Sequence, residues 1–306
     1  MSTPAVAASL TAAEPPPLVV SPPVLDGRDV DVLASRVRLR ATRWSSPGRD
    51  GIPILLLHGL ASSRRFWDLV VPGLAKHKIV ALDQRGHGDS ERPAGPYDAA
   101  TVVGDAMAVL DELDLDRVVV VGHSWGAGTA LRLAAAFGER IAAVVALDGG
   151  FGSAASSGIG RAQARDRLTP PRTALPPDRL RAILRNEALA PWWNERVGTA
   201  LLPLFGVGDD GLARPRLPFE AHMQIVDDLL DAAPPVWADI VCPAWLVACD
   251  TGDAWSAANA EALDRIGLQL AQGRLQRWTG ALHDVPLQWP ALVSGLVRAA
   301  ADEVAA

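Results

Sequence analysis

The residues of this chain best suited to covalent chemistry gather around Ser124. It stands in Gly122-His-Ser-Trp-Gly126, a G-x-S-x-G pattern that directly follows the apolar run Val118 to Val121 and precedes a helical pattern. A strand-to-helix elbow of this kind forces its serine into a strained backbone conformation, and the two glycines let neighbouring elements approach closely. The serine is then held at a helix N-terminus, where free N–H groups and the dipole stabilise a developing anion. A serine hydroxyl is a poor nucleophile until a base takes its proton and a third group orients that base. There are six histidines: His58, His77, His87, His123, His222 and His283. His283 lies in the loop Thr279-Gly-Ala-Leu-His-Asp-Val-Pro-Leu, after the last strand candidate, and a histidine there can reach over the sheet edge. His58 and His87 sit in loops with glycines beside them and can support those loops instead of acting as the base. His123 should point away from the serine side chain, and His77 and His222 have no motif around them.

The acid is expected from a strand end between Ser124 and His283. The run Ala244 to Ala248 leads into Cys-Asp-Thr-Gly-Asp, which offers Asp250 and Asp253, and Asp148 in Leu147-Asp-Gly-Gly is a third option. Each could equally be a loop or helix-cap aspartate. An oxyanion hole needs two backbone donors. One is the N–H of Trp125, the residue after the serine. The other is expected from the loop Leu57-His-Gly-Leu-Ala-Ser62, where Gly59 lets the chain turn inwards, and we assign it to the N–H of Leu60.

These side chains require a scaffold that brings several strand ends together. Val30 to Ala34 and Val37 to Trp44 read as a strand pair. Ile52 to Leu57, Ile79 to Leu82, Val118 to Val121, Ala143 to Leu147 and Ala244 to Ala248 are continuous apolar runs, as expected of strands buried on both faces, and Leu275 to Trp278 is a more polar edge candidate. Helical patterns lie between them at Val102 to Leu113, Gly126 to Phe137, Ala257 to Ile266 and Trp289 to Val304. Strands separated by helices imply a mostly parallel sheet covered on both sides. From Phe151 to Trp237 no strong strand appears. This stretch is too long for a plain loop and is read as a helical insertion. It opens with the small-residue run Phe151 to Gly160, and its arginines from Arg161 to Arg185 read as a solvated helix face. Its adjacent Trp192 and Trp193 would point about 100° apart on a helix, so one can pack while the other faces a cleft. We assign His58, Trp192 and Trp193 to the candidate substrate pocket.

Composition narrows the function classes. The 306 residues carry 29 basic and 35 acidic side chains, a net charge of −6, which argues against a dedicated nucleic-acid binder. No run of about 18 uncharged apolar residues suggests a membrane span. The two cysteines, Cys242 and Cys249, cannot build a disulfide framework and read as small core residues. Residues 1–23 are rich in Ala and Pro, and prolines interrupt the run that a secretion signal would need. They read as a disordered tail on a cytoplasmic protein.

The chain resembles the α/β-hydrolase fold family. The resemblance rests on His58-Gly59, Asp83-Gln-Arg-Gly-His-Gly-Asp-Ser90, Gly122-His-Ser-Trp-Gly126, the Pro243-led strand with its Asp loop, and His283 followed by Pro286. It implies an eight-stranded, mostly parallel sheet flanked by helices, a core of residues 24–150 and 238–306, and a helical cap over 151–237 that shapes the pocket. The family order of nucleophile, acid and base is met by Ser124, Asp253 and His283. In relatives the acid follows a glycine that ends its strand. Cys249 stands at that place here, and Asp253 has the better spacing, with Asp250 and Asp148 left open. Haloalkane dehalogenases and epoxide hydrolases of this fold share the Asp-Gln-Arg-Gly-His-Gly-x-Ser loop but carry Asp at the elbow, so Ser124 disfavours both. The expected activity is a serine hydrolase cleaving a carboxylic ester or lactone, with no metal or organic cofactor. The alternatives are a C–C bond hydrolase of meta-cleavage type, a cofactor-free haloperoxidase or perhydrolase, and a non-catalytic receptor of the same fold. The expected partner is a small-molecule substrate, with neither nucleic acid nor membrane, and a homodimer stays open.

Overall fold

The computed structural model describes residues 8–11, 27–45, 51–151, 160–172, 174–186 and 189–305. Its strands are Ala8–Thr11 (β1), Gly27–Ala34 (β2), Val37–Trp44 (β3), Ile54–Leu57 (β4), Ile79–Asp83 (β5), Val118–His123 (β6), Ile141–Leu147 (β7), Phe205–Val207 (β8), Ala213–Pro215 (β9), Ala244–Asp250 (β10) and Gly273–Thr279 (β11). The main sheet runs β1-β11-β10-β7-β6-β4-β5-β3-β2. β3 is antiparallel to both β2 and β5, and every other pairing in the sheet is parallel. Eight of these strands form the expected sheet. β1 adds a ninth beside β11, so part of the N-terminal stretch read as a disordered tail is a strand; residues 1–7 and 12–23 lie outside the described residues.

The apolar runs are buried on both faces because helices cover both. The α-helices are Ala99–Glu112 (α1), Trp125–Ala136 (α2), Arg161–Leu168 (α3), Pro177–Asn186 (α4), Glu195–Leu201 (α5), Phe219–Asp231 (α6), Ala254–Gly267 (α7), Val285–Gln288 (α8) and Pro290–Ala305 (α9). Leu55, Leu57, Val118 and Val120 face Val109 and Leu110 of α1, Leu131 of α2 and Leu263 of α7. The alternate residues Ile54, Leu56, Val119 and Val121 face Trp67, Val293 and Val297, the last two from α9. Period-two alternation thus feeds two separate apolar layers.

Between β7 and β10 the chain leaves the sheet and builds α3 to α6, with a two-stranded antiparallel hairpin of β8 and β9 that the sequence reading lacks. These strands are only three residues long and largely exposed, so no apolar run marks them. The segment is tied down from outside the sheet. Arg216 pairs with Asp89, Arg92 donates to the Arg216 carbonyl, and Gln224 donates to the Ala94 carbonyl. Its arginines pair locally, Arg161 with Asp227 and Asp231, Arg165 with Asp227 and Arg181 with Glu195, in line with a solvated face. Residues 152–159 of the small-residue run lie outside the described residues. Among the described residues no helix is long and apolar enough to cross a membrane.

Candidate active site

Ser124 occupies the turn from β6 into α2 with φ 54° and ψ −117°, a region a side-chain-bearing residue enters only under local constraint. The constraint is close packing. A Cβ on Gly122 would collide with the carbonyl of Gly126 and with Ala127, and one on Gly126 would collide with the carbonyls of Leu57 and His58. Gly149 is a third such position, pressed against the Ser124 backbone from the end of β7, and no motif singled it out. The Ser124 N–H also donates to the Leu147 carbonyl at 2.9 Å.

His283 stands after β11, and its Nε2 lies 3.0 Å from Ser124 Oγ. Its Nδ1–H donates to Asp148 Oδ2 at 2.6 Å. The aspartate on the histidine is therefore Asp148 and not the expected Asp253. The reason is sheet order. β7 pairs directly with β6, so its end lies beside the elbow, whereas β10 lies one strand further out. Asp148 turns back in a left-handed conformation (φ 47°), and its Oδ1 accepts the Cys249 N–H at 3.0 Å. Asp253 is the N-cap of α7 and accepts from the Ser256 N–H at 2.8 Å and the Thr251 hydroxyl at 2.9 Å. Asp250 accepts from the Gly252 N–H at 2.9 Å. Both are engaged in turn and cap bonds, the alternative role open to any loop aspartate.

A family model described as alpha/beta hydrolase fold matches residues 52–201. The solved structure of E-2-(acetamidomethylene)succinate hydrolase superposes with a TM-score of 0.74 at 22% identity, covering 90% of this chain and 100% of that one. This chain is an α/β-hydrolase-fold protein. Among curated proteins, epoxide hydrolase B of Mycobacterium tuberculosis is 38% identical over 114 residues, 36% of this chain and 32% of that protein. The soluble epoxide hydrolase of a Corynebacterium species is 40% identical over 86 residues, 28% of this chain and 30% of that protein. The matched stretch thus spans about a third of these relatives.

Within this α/β-hydrolase core the base is electrostatically biased. Burial opposes the imidazolium of His283, but the hydrogen bond and charge of Asp148, then the charge of Asp284, outweigh it and hold the pKa above the usual histidine value. The ring is surrounded by the fold yet open to the cleft, its side chain 53% exposed against 6% for Asp148. The loop that carries it is clamped by residues outside any motif. Buried Gln288 accepts the Leu282 N–H at 2.6 Å and donates to the Gly280 carbonyl at 3.0 Å. His123 donates from Nε2 to the His283 carbonyl at 2.7 Å, its ring 4.7 Å from the His283 ring and stacked on Phe66 with centroids 4.7 Å apart. Burial keeps His123 far below the usual pKa, hence neutral.

A cavity of about 430 Å³ opens over Ser124, Asp148 and His283. α3 contributes Leu168, α6 contributes Leu229 and Leu230, and the first turns of α7 contribute Trp255 and Asn259. His58, Trp192 and Trp193 do not line it. His58 is fully buried beneath, its ring bonded to backbone on both nitrogens. Trp192 lies in a 3-10 turn, not in a long helix, and Trp193 packs on the apolar layer of α9. The cavity's indoles are Trp125 and Trp255. The oxyanion loop does lie at the nucleophile, since a Cβ on Gly59 would stand 3.1 Å from that of Ser124. Cys242 and Cys249 are both free and buried, and burial raises both thiols, Cys242 to about 11. Among the described residues no cluster of three or more His, Cys, Asp or Glu side chains is disposed to hold a metal ion.

Proposed function

We propose that this chain is a cytoplasmic serine hydrolase that cleaves a carboxylic ester of a small or medium apolar acid through an acyl-enzyme. The observation that carries the reading is the continuous relay from Ser124 Oγ through His283 to Asp148, at 3.0 and 2.6 Å. Ser124 attacks the carbonyl carbon, and His283 takes its proton and returns it to the leaving alcohol. Asp148 keeps the imidazole in the Nδ1–H tautomer and stabilises its cation. The backbone N–H groups of Leu60 and Trp125 receive the tetrahedral oxyanion. Water then repeats the cycle on the acyl-enzyme with the same base. The segment 151–237 acts as a cap through α3 and α6, whose leucines give the cavity apolar walls.

Serine at the elbow separates this reading from epoxide opening. A carboxylate that attacks an epoxide leaves an ester, which water can cleave. A serine that did so would leave an ether, which the same machinery cannot hydrolyse. A C–C hydrolase of a dienoate would need a cation for the substrate carboxylate, and no Arg or Lys is among the described residues that line the triad's cavity. The decisive experiment compares wild type and Ser124→Ala on p-nitrophenyl acetate and butyrate. Loss of about five to six orders of magnitude in kcat is expected. Absence of turnover by the wild type, or retention of most activity by the variant, would end the reading.

A further inference from the structure

The Asp83–Ser90 motif has no part in the triad, yet ion pairs and hydrogen bonds tie it into the core. Buried Asp83 pairs with buried Arg64, which also reaches Asp29 and Asp89. Arg85 holds Asp105 in a bidentate pair at 2.5 and 2.6 Å, both side chains 3% exposed. The Ser90 hydroxyl accepts the Arg40 N–H at 2.8 Å from β3. From this fixed loop two contacts reach the Gly59–Ala61 segment. His87 donates from Nδ1 to the Arg85 carbonyl at 2.9 Å, which leaves Nε2 to accept the Ala61 N–H at 3.2 Å. The Gln84 N–H donates to His58 Nε2 at 3.1 Å, and the His58 Nδ1–H donates to the Gly59 carbonyl at 2.7 Å.

The geometry of a trans peptide makes these contacts functional. The Gly59 carbonyl and the Leu60 N–H belong to one planar unit and point in opposite directions. A donor on that carbonyl therefore fixes where the Leu60 N–H aims, and polarises the unit so that the N–H becomes a stronger donor. The next peptide, Leu60–Ala61, is fixed by His87 through the Ala61 N–H. Ala61 itself sits at φ 55°, a left-handed conformation that residues with a Cβ rarely adopt. Both peptides flanking Leu60 are thus pinned by an imidazole, and the two rings lie 5.0 Å apart. The His87 ring also stacks on Trp125, the residue that bears the other oxyanion donor, at 5.2 Å.

We propose that His58 and His87 are positioning residues of the oxyanion hole, His58 aiming and polarising the Gly59–Leu60 peptide and His87 locking the peptide that follows. The inference rests on the ester-hydrolase reading. Each ring must be neutral, since protonation would turn an Nε2 acceptor against an N–H. Burial ensures this by pushing His58 to about 4 and His87 to about 3, the latter with help from His58.

The test uses the full chain with p-nitrophenyl acetate and an arylboronic acid, which mimics the tetrahedral adduct. His58→Phe is expected to lower kcat about 30- to 100-fold with KM within about threefold, and to weaken the boronic acid by the same factor. His58→Gln, which keeps a donor, should regain part of both. His87→Phe, which keeps the stack on Trp125, should lower kcat about tenfold. A folded His58→Phe whose kcat stays within about threefold of wild type, or a loss shared equally by substrate and boronic acid binding without change in kcat, overturns the proposal. If His58→Phe does not fold, His87→Phe decides on the same criteria. If the wild type cleaves no ester, the ester reading falls. Histidine nitrogen NMR then still tests the pinning: His58 and His87 must both be Nδ1–H tautomers, and the Ala61 amide must exchange faster in His87→Phe. The opposite tautomer at either ring, or unchanged exchange, overturns it.

Discussion

Two loops at neighbouring strand ends look alike in composition and do opposite things. Leu147-Asp-Gly-Gly carries the end of β7 into its loop, and Cys249-Asp-Thr-Gly-Asp does the same for β10. The first folds back on itself, with Asp148 at φ 47°, so that its carboxylate lies under the histidine loop and is 6% exposed. The second runs outward into α7, with Asp253 at φ −92° and its carboxylate spent on the first turn of that helix. A carboxylate at a strand end is therefore not defined by distance along the chain from the serine or histidine. It is defined by which strand it ends and by whether a helix start competes for its oxygens. β7 touches β6, and among the described residues no helix starts near Asp148. β10 is one strand removed, and α7 begins at once.

The largest test of this contrast is Asp148→Asn against Asp253→Asn. With Asp148 as the orienting acid, its amide variant should lose about 10⁴ in kcat on p-nitrophenyl acetate with the fold intact, because the wrong imidazole tautomer is favoured. Asp253→Asn should stay within about threefold of wild type. A reversal of that ranking would return the acid to α7.

A second test is the acid limb of kcat/KM. His283 must be neutral to act as base, and its pKa is held above the usual value of about 6.5 by Asp148 and Asp284 against the effect of burial. Activity should therefore fall about tenfold per pH unit below a midpoint that lies above 6.5. Removing the Asp148 charge should move the midpoint of the residual activity to lower pH. The Asp253 variants should leave it in place, and a shift in both would show that the two loops share the histidine.

What the sequence made legible follows the same division. Local signals carried the strands, since the runs at Leu55, Val120 and Val145 are buried on both faces, and they carried the elbow at Ser124 and the base loop at His283. Glycines near the serine announced close packing, and two of them, Gly122 and Gly126, were readable from the motif. Asp148 was readable only as one of three candidate acids, and the parts played by Gly149, His123 and Gln288 were not, because each depends on the lateral order of strands, which no run of residues encodes. His58 was misassigned to the pocket for a related reason: a histidine beside a glycine gives no sign of whether its ring faces cleft or core. The β8–β9 hairpin and β1 consist of strands of only three or four residues, too short for any alternation to mark them as strands.

The two tryptophan sites extend the comparison to specificity. Trp255, in the first turn of α7, is 39% exposed and lines the triad's cavity. Trp193 packs inward beside Gly198 and the α9 layer. Trp255→Ala should change the ratio of benzoate to acetate ester turnover several-fold with little change in melting temperature. Trp193→Ala should cost about 2 kcal/mol of stability with that ratio unchanged. Equal effects on the ratio would mean that the wall of the cleft is not built by α7.

The smallest effect isolates what Asp253 does. As an N-cap its side chain accepts the Ser256 N–H at 2.8 Å, and its carboxylate is held below the usual range by that bond and by the Thr251 hydroxyl. Asp253→Ala removes the cap and should cost about 1 kcal/mol, the ordinary worth of such a residue. Asp253→Asn retains a cap acceptor and loses only the favourable charge at the helix start, about 0.3–1 kcal/mol. Because the folded pKa is depressed, the charge contributes only above the unfolded pKa and is lost as pH falls through the folded value, so the gap between wild type and Asp253→Asn should close in acid. Thermal unfolding of the three proteins at neutral and acid pH measures this directly. A kcat loss exceeding the stability loss in either variant would mean that the cap also serves the chemistry, and the contrast between the two loops would have to be redrawn.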